Sequence, residues 1–352
     1  MANGYNGKIL VVDLTTGSHE VREPEERWYR KRWYRTYWGG TGIIAETLLN
    51  ENDPGIDPLG PENVLIFACS VVTGAPIAGF NRYSVGAKSP LTGGFARTEA
   101  AGFFGPELKF AGFDAIIIRG AAEKPVYLWI NDGQVEIRDG ASLWGLDNWE
   151  TLESLRELTG EKRVRVVSIG PAGEQLVSYA CLQNDLEHFN GRTGMGAVMG
   201  SKNLKAIAVR GTAKLSMADP EKVKEIGSWH RERIKSHPPN VGLSKFGTSV
   251  LVEGVNASGF MPTRNFKEGQ FEGADKLSAE PYHETIFHSR GTCWQCSVSR
   301  RDNSKGPINY QLDPTMRPSF IHGGPAGNAA LPASAGLNSR TQTTHWISVL
   351  AV

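Results

Sequence analysis

The sequence has almost no net charge and no long apolar run. Its 352 residues include 38 basic and 37 acidic side chains, which gives a net charge of +1. A basic surface for nucleic acid or an anionic membrane is therefore not expected. No apolar run reaches the ~18 residues of a membrane-spanning helix, and residues 1–8 lack the apolar core of a signal peptide. The sequence predicts a cytoplasmic protein that binds neither nucleic acid nor membrane.

Cysteine is also scarce. Cys69 and Cys181 lie in apolar runs typical of buried strands. Cys293 and Cys296, the remaining two, form Cys-Trp-Gln-Cys. In a cytoplasmic protein this spacing indicates metal, cluster or redox chemistry more than a structural disulfide, so both are candidate metal ligands.

Standard nucleotide-binding motifs are missing, although 41 residues are glycine. The run at 191–202 has four glycines, an arginine and a terminal lysine, but it matches neither the dinucleotide fingerprint nor a P-loop. It is either a packing turn or a loop that grips phosphate or a planar polar cofactor. Residues 81–94, where Arg, Lys and hydroxyl side chains alternate with glycine, leave the same choice between a turn-rich stretch and an anion site.

Apolar runs before residue 212 predict an α+β fold that is rich in strands. Asn131-Asp132-Gly133 between two such runs predicts a hairpin, and Asp147 is a candidate helix N-cap. Asp219-Pro220 predicts a helix start after a domain boundary. From residue 303 onward there is one acidic side chain where the preceding density would give about six, which indicates a poorly structured tail. The predicted divisions are 1–212, 213–298 and 299–352.

Several ordered segments resemble the tungsten bis-pterin aldehyde:ferredoxin oxidoreductases. They include Ser-Pro-Leu-Thr-Gly at 89–93 and Gly-Pro-Ala-Gly-Glu at 170–174. The shared segments are 7–17, 57–63, 82–93, 107–112, 168–174 and 196–206. So many matches in one order, from residue 4 to about 296, are far more specific than any single motif.

The resemblance implies a two-sheet, β-rich pterin-binding domain at 1–212, then the start of a helical iron-sulfur domain. It implies tungsten, or molybdenum, held by the dithiolene sulfurs of two pterins, with Mg²⁺ bridging the pterin phosphates. A [4Fe–4S] cluster beside one pterin would pass electrons to ferredoxin or a similar carrier. The implied reaction oxidises a small aldehyde to a carboxylate, and a homo-oligomer is an open expectation.

The resemblance also assigns cofactor-binding residues. Arg82 falls at the family's pterin-phosphate arginine, and two later segments each fall on a stretch that touches the pterins and supplies a carbonyl to Mg²⁺. The assigned residues of these segments are Glu99, Ala101, Gly102, His188, Phe189, Gly191 and Arg192. Relatives often have asparagine at Glu99 and arginine at His188. His188 therefore either alters the pterin contacts or is a structural histidine.

The cluster motif is the sharpest departure from the family pattern. The family has Cys-x-x-Cys-x-x-x-Cys and a fourth cysteine downstream, but Arg300 stands at the third position and no cysteine follows Cys296. Two thiolates do not hold a [4Fe–4S] cluster, which takes four. A downstream site glutamate and the later catalytic histidine are missing as well, so no catalytic residue is assigned. We expect a truncated chain that is out of frame after about residue 297 and inactive alone.

Three functions stay open at this point. The first is aldehyde oxidation, as the N-terminal part of the enzyme. The second is a related tungstoenzyme, such as a reductase of aromatic rings of the benzoyl-CoA type. The third is a non-catalytic, pterin-binding fragment, which the missing cysteines favour for this polypeptide.

Overall fold

The computed structural model describes residues 3–25, 39–285, 287–296 and 301–304, with backbone only at 288–290 and 301–304. The predicted tail at 299–352 therefore lies outside the described residues, except for 301–304. Those four residues form a strand that pairs with 287–291, where a low-order tail was expected.

Two six-stranded mixed sheets dominate the described structure. The strands of the first sheet, in chain order, are β1 Ile9–Asp13, β2 Ser18–Arg22, β3 Leu65–Cys69, β4 Tyr83–Lys88, β5 Phe95–Ala100 and β6 Ala115–Arg119. The strands of the second are β7 Val126–Asn131, β8 Gln134–Asp139, β9 Arg165–Ser168, β10 Leu182–Asn184, β11 His188–Asn190 and β12 Leu204–Arg210. A third, two-stranded sheet pairs β13 Phe287–Gly291 with β14 Arg301–Ser304.

The two large sheets repeat one topology. Their spatial orders are β2-β1-β6-β3-β4-β5 and, read in the same sense, β8-β7-β12-β9-β10-β11. Each sheet has one parallel pair, β1 with β6 and β7 with β12, and the other pairings are antiparallel. The first 210 residues are thus two copies of a six-stranded unit, and the loops after β5 and after β11 occupy equivalent places.

Helices follow the same repeat. The described helices are α1 Thr41–Glu51, α2 Phe104–Phe110, α3 Asn148–Thr159, α4 Pro171–Glu174, α5 Met195–Ser201, α6 Pro220–Ser236, α7 Pro238–Phe246, α8 Val252–Ala257 and α9 Ala279–Thr285. Helices α1 and α3 each lie between the second and third strands of their unit, and α2 and α5 each precede its last strand. From α6 to α9 the chain is helical, as the change of character at Asp219-Pro220 predicts.

Alternate side chains of the central strands are buried on opposite faces. In β1, Leu10 and Val12 join a core cluster that contains residues of both sheets, whereas Ile9 and Val11 pack with α1 on the other face. The outer face of the second sheet packs with α3 through Leu155. Burial on both faces explains why these strands read as unbroken apolar runs.

The α+β prediction with a two-sheet N-terminal part is confirmed. The hairpin at 131–134 and the start of α3 at the capping Asp147 also form as predicted. Strand β10 begins at Leu182, after a turn. Within the described residues, no helix is long and apolar enough to cross a membrane.

Candidate functional site

The two segments assigned from the family resemblance meet at the adjacent ends of the sheets. Asn184 Nδ2 donates to the carbonyl of Ala101 at 2.9 Å, and the amide of Arg192 donates to Thr98 Oγ1 at 3.3 Å. The Tyr83 hydroxyl donates to Asn190 Oδ1 at 2.7 Å. Side chains of each repeat therefore hold the backbone of the other at one seam.

Arg82 lines a cavity of about 340 Å³ beside this seam, which we call the arginine cavity. Its walls include residues 39–42, Ser84 and Glu99. The Arg82 side chain is exposed and forms no ion pair with any described residue. An arginine without a carboxylate partner, inside a cavity, suits a phosphate ligand.

Helix α1 begins at the same cavity. Gly40, its N-cap, has φ 54°, no side chain caps the helix, and its first turn has no acidic residue. The positive end of the helix dipole therefore favours an anion in the cavity, as Arg82 does. In the sequence, the three glycines of Gly39-Gly40-Thr41-Gly42 before an apolar helix are a signal for an anion-binding turn.

Glu99 adds negative charge to the arginine cavity, but it has partners. Its Oε1 lies 2.7 Å from Arg97 Nη2 and accepts from Ser84 Oγ at 3.3 Å. The ion pair with the half-exposed Arg97 offsets part of the carboxylate charge. Glu99 therefore leaves Arg82 available to an anion.

The glycine run at 191–202 has two parts with different roles. A Cβ atom at Gly194 would lie 2.0 Å from the Ser178 carbonyl oxygen, and one at Gly200 would lie 2.0 Å from that of Gly173. These glycines pack α5 against backbone, so the interpretation as a packing turn is right for them. Gly191 and Arg192, next to Thr98, belong to the seam.

Gly102 lies at a close approach between the two repeats. Its φ is 112°, and a Cβ atom there would lie 2.8 Å from both Asn184 Nδ2 and His188 Nδ1. Its carbonyl accepts from the amide of Trp294 at 3.2 Å. Glycine is required here by conformation and by space.

Residues 293–296, which we call the cysteine turn, are fastened to this seam. The amide of Trp294 donates to the carbonyl of Gly102. The carbonyl of Trp294 accepts from Asn81 Nδ2 at 2.8 Å, and the Trp294 ring packs edge-on against Phe110. Cys293 Sγ lies 2.9 Å from His188 Nε2. The structure thus brings Cys293 beside the predicted cofactor loops, over 100 residues away in the chain.

His188 contacts the cysteine turn rather than the arginine cavity. The side chain is 9% exposed and lies between Gly102 and Cys293. Phe189, beside it in β11, is half-buried and pairs with Gln183 of β10.

The carboxylate of Asp185, which is largely buried, lies beside the seam. Asp185 Oδ1 accepts from the amide of Val166 at 3.1 Å, and Oδ2 lies 3.4 Å from Arg165 Nη1. Burial raises the pKa of Asp185 to about 6, against the lowering effect of Arg165. The Arg165 guanidinium in turn stacks on Phe103, 4.1 Å from its ring centre, next to Gly102.

The site fits a pterin ligand better than it fits an iron-sulfur cluster. Asn184 Oδ1 and Asn190 Nδ2 are buried at the seam with no hydrogen-bond partner among the described residues, which suits a polar ligand. For a cluster, the described residues supply the thiols of Cys293 and Cys296 where four are needed. No group of three or more His, Cys, Asp or Glu side chains that could hold a metal ion lies in the described ranges.

Comparison with known families covers most of the chain. Residues 9–211 match the family model of the aldehyde ferredoxin oxidoreductase N-terminal domain, and 225–342 match that of domains 2 and 3. The chain belongs to the aldehyde ferredoxin oxidoreductase family. The second match extends past Cys296, so similarity to the family does not stop at the cysteine turn as the motifs alone suggested.

Individual relatives agree with this assignment. The chain is 44% identical to the tungsten-containing aldehyde ferredoxin oxidoreductase of Pyrococcus abyssi over 338 residues, which are 95% of this chain and 53% of that protein. The corresponding Thermococcus kodakarensis protein is 42% identical over 84% of this chain and 48% of its own length. The chain thus spans about half the length of the curated relatives it matches.

A solved structure shares the fold. It is the active site complex BamBC of benzoyl coenzyme A reductase in complex with 1,5-dienoyl-CoA, with a TM-score of 0.72 and 32% identity. The match covers 88% of this chain and 48% of that chain. The two-sheet base is therefore shared by enzymes named for different substrates.

Proposed function

We propose that this chain forms the pterin-binding base of an enzyme that oxidises aldehydes to carboxylates, with ferredoxin as electron acceptor. One aldehyde and one water give one carboxylate, two electrons and three protons, and two one-electron carriers remove the electrons. A tungsten bis-pterin would supply the redox chemistry. The observation that carries the proposal is the convergence of Arg82, the Ala101–Gly102 backbone and the Gly191–Arg192 backbone on one seam.

Each part of the seam has a distinct binding role. Arg82 and the start of α1 would hold a pterin phosphate by charge-assisted hydrogen bonds. Because the two repeats present equivalent loops after β5 and β11, each would hold one pterin. Backbone carbonyls of the segments around Glu99 and Phe189 would be the Mg²⁺ ligands, since hard cations take oxygen.

The cysteine turn would lie between this base and the electron acceptor. Trp294 and Asn81 fix the turn, and His188 Nε2 lies within hydrogen-bond distance of Cys293 Sγ. The described residues alone do not complete a four-thiolate site, so we derive no step through a cluster. A frame shift after about residue 297 stays a prediction, which sequencing of codons 290–310 tests.

A ring reductase of the benzoyl-CoA type is the alternative, favoured by the shared fold of the BamBC complex. The full-length gene product, expressed with tungstate and pterin biosynthesis, should reduce a viologen dye when given small aldehydes. It should not form or consume a dienoyl thioester. Turnover of the aromatic thioester without aldehyde oxidation would replace our proposal with the alternative.

A non-catalytic pterin-binding fragment is the third candidate function, favoured by Arg300, which stands where the family resemblance implies a third cysteine. Elemental analysis of the purified chain distinguishes it. Tungsten without iron supports the fragment, whereas four irons per chain would contradict the argument from the cysteine count.

A further inference from the structure

The cysteine turn touches two different surfaces of the protein. On one side, Cys293 and Trp294 contact His188 and Gly102 of the seam. On the other, Gln295 and Cys296 line a cavity of about 500 Å³, which we call the basic cavity. Its remaining walls come from one side of α6, including Ser228, Arg231, Glu232, Ile234 and Lys235. The turn therefore lies between the predicted cofactor loops and a second cavity.

The chain around the basic cavity has a strong excess of positive charge. Residues 227–246 contain four basic side chains, Arg231, Arg233, Lys235 and Lys245, and one acidic one, Glu232. All four cations are exposed. The whole chain has a net charge of only +1, so this local value of +3 is not an overall property.

In the part of the chain that the structure describes, the cations near the start of α6 form ion pairs, whereas those at 231–245 do not. Near its start, Lys222 lies 2.9 Å from Glu225 and Lys224 lies 3.9 Å from Glu221. Among the described residues, none of the four cations at 231–245 lies within ion-pair distance of a carboxylate. Exposed cations without ion-pair partners attract an anionic partner.

Helix stability accounts for only part of this charge. Arg233 and Lys235 lie in the last turn of α6, where cations favour the helix dipole. Arg231 lies before that turn, hydrogen bonds only Ser228 Oγ among the described residues, and faces the cavity with Cys296. Its place next to the cysteine turn has no explanation in the folding of α6.

We propose that the basic cavity and its rim, made by Arg231, Arg233, Lys235 and residues 295–296, form the docking surface for a small acidic electron-carrier protein. The inference rests on the proposed function, which needs such a carrier. Charge complementarity favours a protein over a small anion, because the cations are spread along the helix rather than converging on one point. Complexes of redox proteins are small and transient, and opposite charges steer their encounter.

A double variant of α6 that reverses two positive charges tests the proposed docking surface. Arg231→Glu with Lys235→Glu should weaken binding of a small acidic ferredoxin at least tenfold at low salt, measured by calorimetry with the full-length protein. The matched control is Lys222→Glu with Lys224→Glu, which makes the same charge change on the same helix and should alter binding less than threefold. The wild-type affinity should fall steeply with salt, and the Arg231/Lys235 variant should lose most of that dependence.

Several outcomes would overturn the docking surface. They are no ferredoxin binding by the wild type, equal losses in both double variants, or an unchanged affinity in the Arg231/Lys235 variant.

Circular dichroism must show that both variants fold. If charge reversal unfolds the chain, the milder Arg231→Gln with Lys235→Gln is measured instead and should show a loss of the same direction. Aldehyde-dependent reduction of a viologen dye should be equal in all variants. Absence of that activity in the wild type contradicts the proposed function, while the binding comparison still decides on the surface.

Discussion

Gly102 is closely surrounded at the seam. It combines a φ of 112° with two side-chain atoms 2.8 Å from the position of a Cβ. We expect Gly102→Ala to lower the free energy of unfolding by about 2–4 kcal/mol, because backbone strain adds to the displacement of Asn184 and His188. Urea unfolding followed by circular dichroism measures this.

Gly79→Ala is the matched control. Gly79 also has a positive φ, 89°, but nothing lies within 4 Å of a Cβ there. Gly79→Ala should therefore lower the free energy of unfolding only by the cost of backbone strain, about 1–2 kcal/mol. Equal losses in the two variants would mean that Asn184 and His188 move away from the new Cβ at little cost. The close packing around Gly102 would then add nothing to the loss of stability.

Asp185 gives the seam a pH dependence. Its pKa is raised from 3.8 to about 6, chiefly by burial, so the folded protein holds this proton more tightly than the unfolded chain does. The contribution of Asp185 to the free energy of unfolding is therefore lost as the pH rises from 3.8 to about 6, and this contribution does not change further at higher pH. Asp185→Asn should gain stability relative to the wild type by up to about 3 kcal/mol between about pH 4 and pH 6.5.

The exposed Asp275 provides the comparison for this pH series. Asp275→Asn makes the same chemical change on the surface and is measured over the same range. If the Asp185→Asn difference changes with pH no more than the Asp275→Asn difference does, the Asp185 carboxylate is not held in the buried, proton-favouring environment described for it.

Local sequence signals determine several elements correctly. The Asp147 side chain accepts from the amide of Glu150 at 2.8 Å, and Glu150 accepts from the amide of Asp147 at 3.1 Å, so α3 begins with a capping box. The hairpin turn at 131–134 forms because Asp132 and Gly133 accept positive φ. Both features depend on a few neighbouring residues, which is why the sequence predicts them.

Asp147→Ala tests how much the cap of α3 stabilises the protein. Removing the side chain leaves the first-turn amides of α3 without their acceptor, so we expect a loss of about 1–2 kcal/mol in the free energy of unfolding. Thermal and urea unfolding measure it. Glu153→Ala, on the exposed face of the same helix, should cost less than about 0.5 kcal/mol; an equal loss there would show that the cap is not the cause.

Other elements could not be placed from local patterns. The insertion of β6 between β1 and β3 depends on contacts between residues 47 to 106 positions apart. The packing roles of Gly194 and Gly200 depend on backbone from distant segments, which the spacing of glycines does not encode. The same holds for the contact of His188 with Cys293.

At the scale of the whole molecule, the repeated six-stranded unit explains why one chain presents two equivalent loops at a single seam. The repeats are joined by buried contacts: Arg210 of β12 reaches Glu107 of α2 at 2.7 Å, and the amide of Gly211 donates to the same carboxylate at 3.1 Å. The core between the sheets draws side chains from both units. The family resemblance predicted two sheets, but the identical strand orders appear only in the structure.

The residues that the family resemblance assigns to the site lie near one another in the fold. Arg82, Glu99, Ala101, Gly102, His188, Gly191 and Arg192 all lie along the seam or the arginine cavity, but their roles toward a cofactor stay predictions. Residues 39–42, Tyr83, Asn184 and Trp294 were missed, since each contributes through a contact that only the fold creates. Location in the cytoplasm likewise stays a prediction of the sequence.

Cofactor load tests the central claim most directly. The wild-type chain, expressed with tungstate and pterin biosynthesis, should retain tungsten and pterin at a ratio near one to two, measured by elemental and mass analysis. Arg82→Ala should lose at least tenfold of both, because the phosphate loses its charge-assisted partner, whereas Arg22→Ala on the exposed strand β2 should keep the wild-type load. A wild-type protein without tungsten, molybdenum and pterin, or an unchanged load in Arg82→Ala, would contradict the account.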